Sequence, residues 1–561
     1  MDKKGQIAIA LAILVLLVWQ FKFAPKYVPP PASASPTPAE NASPAPGATI
    51  APMEPAATQT APVATLHEEP EALEKISTAA VNYVFTNLGG GIARAELSKY
   101  PAEAGNVTMN EFGELPIGAI SAQAGSEARE PYKVTVTPKG EVICERTESN
   151  GVQVSKKFTL PKTETGDYSL TLDVTFTNHG TQPWQSSGYF VHAGSAAPIH
   201  QHDLPTYTGF DFYRKGKAKF IDVNWFSEGR FPLLGFQTRA ARPNYVETLD
   251  SITWAGVKSQ YFTTIVVPAQ TKGASVWAHR FEVKTEARDV LAVQGAIGLP
   301  GFSLQPGESH SEHFDIFSGP KIYHTLKKLG HDEDEIMNFG MFKVVSHFLL
   351  NSMNWLHSVL GSYAAAIIVL TLCIRGAMWP LQNRATASMR QMQALQPRMT
   401  ELREKYKDDP TRMNQELMKL YKEYGVNPFG GCLPMFVQIP VFFGFYSMLG
   451  TAIELRNSKF LWVHDLSQPD TVFHLGTFPV NILPLCMAGT MLWQMSLSPK
   501  SGDAVQQRIM MFVPLIFIAF CYNFASALAL YWTVQNLFSV VQLYVTQKKT
   551  APATPPPRKR K

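Results

Sequence analysis

Cysteine is scarce in this sequence, and the positions of the few cysteines exclude two common kinds of cross-link. There are 5 cysteines among 561 residues, and only Cys144 lies outside the strongly hydrophobic parts of the chain. No two of them form a Cys-x-x-Cys pair, so neither a disulfide framework nor a zinc site is predicted. The phosphate-binding pattern GxxxxGK[ST] is also missing, which excludes a P-loop nucleotide hydrolase. The sequence therefore predicts a protein that has no cofactor.

Three histidines, His192, His200 and His202, are the remaining candidates for a metal site. Alternate residues of a strand share a face, so these side chains could lie together. No cluster of carboxylates or cysteines accompanies them in the sequence. We therefore expect solvated or core histidines, with a metal site as the alternative.

The hydrophobic segments are unevenly distributed. The mean hydropathy is near zero, but one apolar segment stands at the N-terminus and the others fall in the last two fifths of the chain. At the N-terminus, Lys3 and Lys4 precede the apolar stretch 7–19. The nearest Ala-x-Ala cleavage pattern, at 32–34, is too distant for a cleaved signal peptide. We predict an uncleaved transmembrane anchor over 1–24, with both lysines in the cytoplasm.

Two segments of different composition follow the anchor. Residues 25–75 are rich in proline, alanine, serine and threonine, which predicts a disordered linker. Residues 76–330 contain short alternating stretches such as YKVTVTP and YSLTLDVTFTN, separated by glycine, proline and asparagine. Many short strands with turn residues between them predict one large β-sandwich domain.

From 331 to 361 the apolar residues recur at steps of three and four. This spacing predicts an amphipathic helix that lies in the membrane surface, and a helix packed on the β-domain is the alternative. The apolar stripe consists of Phe342, Val345, Leu349, Met353, Leu356 and Leu360, with polar residues between them.

Residues 362–547 form the predicted helical core. The loop after its first span and the tail 548–561 are rich in arginine and lysine, so both belong in the cytoplasm. With the anchor, this gives six transmembrane helices, both termini inside and the β-domain outside. The five core spans are predicted at about 363–381, 432–453, 480–495, 509–524 and 527–546.

The basic loop 383–427 carries two further apolar stripes. Asp409 and Pro410 supply helix-start residues between the stripes, and Gly425 supplies a helix stop, which predicts an antiparallel helical hairpin. Its methionines are expected to pack inside the hairpin, with a client-binding surface as the alternative. The methionines in question are Met389, Met392, Met399 and Met413.

One arginine stands inside the first core span. Arg375 would cost about 2.5 kcal/mol or more at the centre of a bilayer. It could reach the cytoplasmic surface with its long side chain, or it could line a wet cavity. Polar residues in the predicted spans favour the cavity, and they are Thr371, Gln438, Tyr531, Gln535 and Asn536.

Four motifs in the last 220 or so residues resemble the YidC/Oxa/Alb family of membrane protein insertases. They are IRGAMWPLQNRA, MQALQPRMTELREKYKDD, YGVNPFGGCLPMFVQIPVFFGFYSML and ALYWTVQNLFSVVQ, in the order typical of the family. The anchor and β-domain look like the Gram-negative form, which has a large periplasmic domain. The resemblance implies an inner-membrane insertase and chaperone, not an enzyme, with a hydrophilic client groove. The residues at positions compatible with this groove are Arg375, Thr371, Gln438, Tyr531, Trp532, Gln535 and Asn536.

The resemblance also implies partners, namely nascent membrane proteins, the Sec translocon with its accessory subunits, and the lipid bilayer, but no small-molecule substrate. The basic tail predicts binding to ribosomes or anionic lipid, with a pure topology signal as the alternative. Its last four residues are Arg558, Lys559, Arg560 and Lys561. Two other classes of protein are less consistent with the sequence. A secondary transporter for an anionic solute would show repeated halves, and an envelope enzyme would show a catalytic constellation.

Overall fold

The computed structural model describes residues 70–498 and 521–547, together with 512 and 518–519. Short gaps fall at 104, 127, 162–167, 201–202, 231–236, 286–288, 428–429, 431–432 and 477. The predicted anchor, nearly all of the linker, most of the predicted span 509–524 and the basic tail lie outside the described residues.

The first half of the described chain is built almost entirely of strands. In β9 (Ser169–Asn178) buried residues alternate with half-buried ones along the whole length, as a period of two requires. The prediction of a mostly β domain is therefore confirmed. The other strands are β1 Leu73–Ser77, β2 Val81–Thr86, β3 Gly91–Pro101, β4 Asn106–Met109, β5 Ile120–Ser121, β6 Lys133–Val136, β7 Glu141–Thr147, β8 Val152–Thr159, β10 Trp184–Ala196, β11 Gly209–Arg214, β12 Lys217–Asp222, β13 Gly229–Arg230, β14 Gln237–Arg239, β15 Asn244–Lys258, β16 Phe262–Pro268, β17 Gly273–Lys284, β18 Asp289–Leu304 and β19 Ser309–Pro320.

Most of these strands belong to one long antiparallel sheet of 13 strands. Its order is β5-β10-β18-β17-β15-β16-β19-β9-β8-β7-β6, with β11 on β15 and β12 on β11. β10 also contacts β16, although three strands separate them along the sheet. The sheet therefore curves over and encloses its own core. A separate sheet of 4 strands is formed by β1 to β4, and β13 pairs with β14.

The segment after the β-domain is held to it by buried polar contacts. The Nζ of Lys258 donates to the carbonyl oxygen of Ile336 at 2.8 Å and lies 2.9 Å from a carboxylate oxygen of Asp211. The indole of Trp254 donates to the carbonyl of His331 at 3.1 Å. Glu333–Met337 is a 3-10 turn rather than part of an α-helix. The predicted helix of 331–361 is therefore shorter than expected.

The helix that does form is α2, Lys343–Leu360, which follows the short helix α1, Tyr323–Leu329. The predicted stripe faces the protein, since Leu349 and Met353 are buried. Polar residues such as Lys343, His347 and Asn351 lie opposite the stripe as predicted, but a third face, about 100° from the stripe, carries exposed apolar side chains. These outward residues are Val344, Phe348, Trp355 and Val359. The helix is thus apolar on two faces, which the period of the stripe alone did not reveal.

The remaining helices are α3 Tyr363–Ala394, α4 Gln396–Lys405, α5 Pro410–Tyr424, α6 Leu433–Thr451, α7 Ile482–Leu497 and α8 Ser526–Gln547. Among the described residues, α3 and α6 are long and apolar enough to cross a membrane, and α7 is a shorter apolar helix. Between α6 and α7 the chain forms a hairpin of β20, Thr471–Leu475, and β21, Phe478–Asn481. α3 continues well past the predicted end of its span at 381.

The hairpin predicted over 383–427 is made by the end of α3, α4 and α5. Asp409 accepts a hydrogen bond from the backbone N–H of Arg412 at 3.0 Å, and Gly425 ends α5 with a φ of 65°. Leu395, Leu417, Leu420, Tyr424 and Val426 are buried between the arms. Three of the four predicted methionines join this cluster, since Met399 is buried and Met392 and Met413 pack against it. Met389 instead lines a small cavity between α3, α7 and α8.

The β-domain is docked on the end of α6 through Gln260. Its Nε2 donates to the carbonyl of Gly450 and to the hydroxyl of Tyr261, both at 2.9 Å. Its Oε1 accepts from the backbone N–H of Leu204 at 2.8 Å. A Cβ added at Gly450 would lie 2.5 Å from the hydroxyl oxygen of Tyr207. Only glycine permits this close approach of the two parts.

Candidate functional site

A polar cluster lies between α6 and α8. The side-chain Nε2 of Gln438, on α6, donates to the hydroxyl of Tyr531 at 3.1 Å and to the Oε1 of Gln535 at 3.2 Å. Tyr531 and Gln535 are one turn apart on α8 and therefore share a face. The ring of Tyr531 stacks on Phe445 with the centroids 4.1 Å apart. One amide thus joins two apolar helices through hydrogen bonds that a low-dielectric environment strengthens.

Arg375 of α3 faces the same cluster. It is half-buried, and its guanidinium lies within electrostatic range of the hydroxyl of Tyr531. In the part of the chain that the structure describes, Arg375 forms neither a hydrogen bond nor an ion pair. A partly desolvated cation without a counter-ion attracts negative charge strongly, because little water screens it. The cluster can therefore bind an anionic or polar group.

Three of the predicted residues make contacts outside this cluster. The Nδ2 of Asn536 donates to the carbonyl of Met487 at 3.3 Å and to the hydroxyl of Thr490 at 3.2 Å, both on α7. The buried hydroxyl of Thr371 donates to the carbonyl of Ile367 in its own helix at 2.7 Å. Trp532 packs edge-on against the ring of Phe442 on α6, with a centroid distance of 4.9 Å.

A second polar network lies at the hairpin end of α3 and α8, and the sequence reasoning missed it. The Nε2 of Gln542 donates to the Oδ1 of Asn383 at 3.1 Å and to the carbonyl of Trp379 at 3.3 Å. The hydroxyl of Thr546 lies 3.4 Å from the same Asn383 oxygen, and Arg390 donates to the carbonyl of Thr546 at 3.3 Å.

The sequence did contain a signal for this network. Gln535, Ser539, Gln542 and Thr546 follow one another at steps of four, three and four, so they share one face of a helix. Of these, Gln535, Ser539 and Gln542 are buried. The face of α8 turned toward α3 and α6 is thus polar from Tyr531 to the end of the helix at the hairpin.

The opposite end of α8 is closed by the loop that follows α6. The backbone N–H of Ser526 donates to the carbonyl of Gln468 at 2.8 Å, and its hydroxyl donates to the carbonyl of Asp465 at 3.1 Å. The N–H of Ala527 donates to the carbonyl of Leu466 at 3.0 Å. These bonds satisfy N–H groups of the first turn, and Leu528 and Leu530 are buried below them. The polar face of α8 is therefore sealed at this end by backbone contacts and apolar side chains.

The sequence left open a metal site at His192, His200 and His202 as an alternative. Among the described residues no group of three His, Cys, Asp or Glu side chains is placed to hold a metal ion. The Nε2 of His192 is buried 3.0 Å from the hydroxyl of Ser121. Burial lowers the pKa of His192 to about 3, so this side chain stays neutral. His202 lies outside the described residues.

Two family models match the chain side by side. The model described as the YidC periplasmic domain matches residues 74–352, and the model described as the 60Kd inner membrane protein matches residues 355–553. These matches confirm the predicted inner-membrane protein with a large periplasmic domain. The boundary between the two matches falls inside α2, after the last strand of the β-domain and before α3.

Relatives that match most of the chain belong to the same family as both models. The chain is 31% identical, over 98% of its own length and 100% of the relative, to the membrane protein insertase YidC of Syntrophus aciditrophicus (strain SB). It is 32% identical, over 84% of this chain and 85% of the relative, to the membrane protein insertase YidC of Geobacter sp. (strain M21). A solved structure described as an active YidC insertase with its first transmembrane domain resolved is 18% identical, with a TM-score of 0.36, and the match covers 86% of this chain and 94% of that one. On the strength of the sequence relatives, the chain belongs to the YidC family of membrane protein insertases, as its motifs predicted.

Proposed function

We propose that this protein inserts membrane proteins into the inner membrane and assists their folding, and that the face of α8 from Tyr531 to Thr546 forms one wall of the client groove. The observation that carries the proposal is the half-buried Arg375, which has no counter-ion among the described residues and faces the Gln438–Tyr531–Gln535 hydrogen bonds. Polar groups inside a helix bundle are expensive and usually mark a path for a polar substrate.

The groove acts by replacing hydration. A client's short polar segment enters from the hairpin end, where Asn383, Gln542 and Thr546 already form a polar network. It then reaches Gln438 and Arg375, whose polar groups offset part of the cost of losing water. At the closed end only the remaining apolar layer has to be crossed. The client's own apolar span then enters the lipid and gains about 0.8 kcal/mol per buried CH₂ group, which drives the step without a nucleotide.

The topology that we propose has six transmembrane helices with both termini in the cytoplasm. The anchor 1–24 and the spans near 363–381, 432–453, 480–495, 509–524 and 527–546 would cross the membrane. The lengths of α3 and α6 support two of these crossings, and the positive charge of the hairpin supports its place in the cytoplasm. The outward apolar face of α2 supports a position in the periplasmic surface of the inner membrane.

The partners that we propose are nascent membrane proteins, either received directly or passed on by the Sec translocon, and the translating ribosome. Support for the ribosome comes from the charge of the hairpin and of the tail, because clustered cations bind phosphate-rich surfaces. Met418 is exposed on α5 next to Lys419 and Lys422, so the hairpin also presents an adaptable apolar group among cations.

The groove can be tested by photo-crosslinking, because the chain offers a matched pair of polar positions. A photo-reactive amino acid at Gln438 should capture a stalled, inserting nascent chain. The same probe at Asn536 should capture little of it, because Asn536 is bonded to α7 and turned away from Arg375. Both positions are polar and within the bundle, so hydrophobicity and depth are controlled. Equal capture at the two positions would show that the hydrogen bonds of Gln438 only join helices.

The role of the tail can be tested with a salt series. Removing Arg558 to Lys561 should weaken co-sedimentation of the protein with ribosomes at low salt, and the difference should shrink as salt rises. A variant in which the same positions are replaced by alanine separates charge from length. If binding stays the same across the salt series, the tail is a topology signal with no ribosome contact.

A further inference from the structure

The β20–β21 hairpin carries an exposed apolar surface that the client groove does not use. Val472, Phe473, Leu475 and Phe478 have exposed fractions between 48% and 67%. A hairpin that rests one face on a protein and the other in water alternates apolar and polar residues. Here the cross-strand pairs Phe473–Val480 and Leu475–Phe478 share one face, and the pair His474–Pro479 lies on the other. One face of the hairpin is therefore apolar, and yet Phe473, Leu475 and Phe478 on it are exposed rather than packed on protein.

The base of the hairpin is fixed by polar contacts. The Nδ2 of Asn481 donates to the carbonyl of Tyr522 at 2.8 Å, and the hydroxyl of Tyr522 donates to the carbonyl of Pro479 at 2.7 Å. The ring of Tyr522 stacks on Phe478 with the centroids 5.2 Å apart. The hydroxyl of Thr471 donates to the Oδ1 of Asn481 at 2.6 Å. The apolar tip thus projects from a base whose hydrogen bonds hold it in one orientation.

The hairpin is continuous with an apolar helix. β21 ends at Asn481 and α7 begins at Ile482, so no loop separates them. Between Thr471 and Leu497 the sequence contains no aspartate, glutamate, lysine or arginine. The carboxylate of Asp470 accepts a hydrogen bond from the backbone N–H of Leu483, with a distance of 2.6 Å between oxygen and nitrogen. This bond joins the start of α7 to the start of the hairpin. Hairpin and helix therefore form one segment without a carboxylate, ammonium or guanidinium group.

A second apolar surface lies at the same end of the helical core. The side chain of Asn354 on α2 donates to Glu454, at the start of the loop that carries the hairpin, at 3.3 Å. The outward face of α2, with Phe348 and Trp355, is also exposed. Two apolar surfaces therefore stand near the closed, outer end of the bundle, and a bilayer is wide enough to cover both.

We propose that the β20–β21 hairpin inserts its tip into the outer leaflet of the inner membrane. Lipid fits this surface because the hairpin runs directly into the apolar helix α7 and lies at the same end of the core as the exposed apolar face of α2. The lack of charge removes the main cost of entering the leaflet. The inserted tip would hold the start of α7, and with it the outer end of the bundle, at a set depth. This inference depends on the location of the protein in the inner membrane, but it does not depend on the proposed client groove.

Spin labels can test the depth of the tip in the full-length protein. The five native cysteines are replaced by serine, single cysteines are introduced by Phe473→Cys or Leu475→Cys, and the labelled protein is reconstituted in phosphatidylethanolamine and phosphatidylglycerol vesicles. Lys459, which is exposed in the same outer loop, supplies the control Lys459→Cys. Collisions with oxygen, which concentrates in lipid, are compared with collisions with a water-soluble nickel chelate. We expect the oxygen-to-nickel ratio to be several-fold higher at 473 and 475 than at 459.

Two results would overturn the proposal. A ratio at 475 as low as the ratio at 459 would place the tip in water, and exclusion of both reagents at 475 would mean that protein, such as a second copy, covers it. If the cysteine-free chain does not fold, a photo-reactive amino acid at Phe473 in the chain with its own cysteines gives a second measurement. It should form adducts with phospholipid, as detected by mass spectrometry, whereas the same probe at Lys459 should not. Protein adducts in place of lipid adducts at 473 would also reject the proposal.

Discussion

Replacing Arg375 by glutamate should abolish the insertion of clients whose translocated segment is acidic, while lysine should retain most of the activity and alanine an intermediate level. Arg375 has no counter-ion among the described residues, so its field is available to the client. Two unit charges about 4 Å apart at an effective dielectric of about 20 interact with about 4 kcal/mol. Even a third of that energy changes a rate about tenfold. A disordered client does not require the fork geometry of arginine, so lysine should substitute for it. The measurement is protease protection of the translocated segment in proteoliposomes.

The controls use a second arginine and a second client. Arg384 is exposed further along the same helix, and Arg384→Glu makes the same change of charge outside the cluster, so insertion should continue. Clients with neutral translocated segments should respond little to any substitution at Arg375. If the lysine, alanine and glutamate variants all insert acidic clients equally well, the side chain of Arg375 only extends to the cytoplasmic membrane surface and does not act on the client.

The second large effect is expected at Gly450, where the β-domain meets α6. Gly450→Val should lower the melting temperature of the purified protein and separate the β-domain from the helical core. An added Cβ would lie 2.5 Å from the hydroxyl of Tyr207, and the carbonyl of Gly450 would lose its bond from Gln260 if the β-domain moved away from α6. Overpacking costs about 1–3 kcal/mol, and a buried group left without its partner costs a similar amount. Thermal unfolding in detergent and limited proteolysis measure the two effects.

Gly489 of α7 supplies the matched control for this substitution. An added Cβ there would meet no atom within 4 Å among the described residues, so Gly489→Val should leave the melting temperature nearly unchanged. A second variant, Gln260→Leu, removes the hydrogen bonds of the same contact without overpacking and should act in the same direction. If Gly450→Val and Gly489→Val melt alike, the contact at α6 does not stabilise the docking of the β-domain.

The residues of the candidate groove show how far sequence reasoning reaches. A polar residue inside an apolar span is visible in the sequence, and all seven candidates were found in this way or through the family motifs. What the sequence does not contain is the direction of each side chain relative to the neighbouring helices. Gln535 and Asn536 are adjacent in the chain, yet one accepts a bond from α6 and the other donates to α7, because successive helical residues point about 100° apart. The packing of three helices around α8 decided which amide faces Arg375.

The helix α2 was predicted less well for a related reason. Its stripe at steps of three and four was correct, since Leu349 and Met353 are buried. A single period describes one apolar face, however, and α2 has another that contains Phe348 and Trp355. The predicted start was also too early, because Asp332 and Asn338 adopt positive φ angles of 61° and 49°, which an α-helix does not allow.

By itself the sequence determined the family, the order of the β-domain and the helical core, and the pattern of charge from which the topology is proposed. These properties follow from composition, period and motif, which depend on residues close together in the chain. The tertiary structure alone decided that Gln438, Tyr531 and Gln535 share hydrogen bonds, that Gly450 admits Tyr207, and that the β20–β21 tip is left uncovered. Each of these depends on contacts between segments far apart in the chain, and such contacts exist only once the helices and strands have packed.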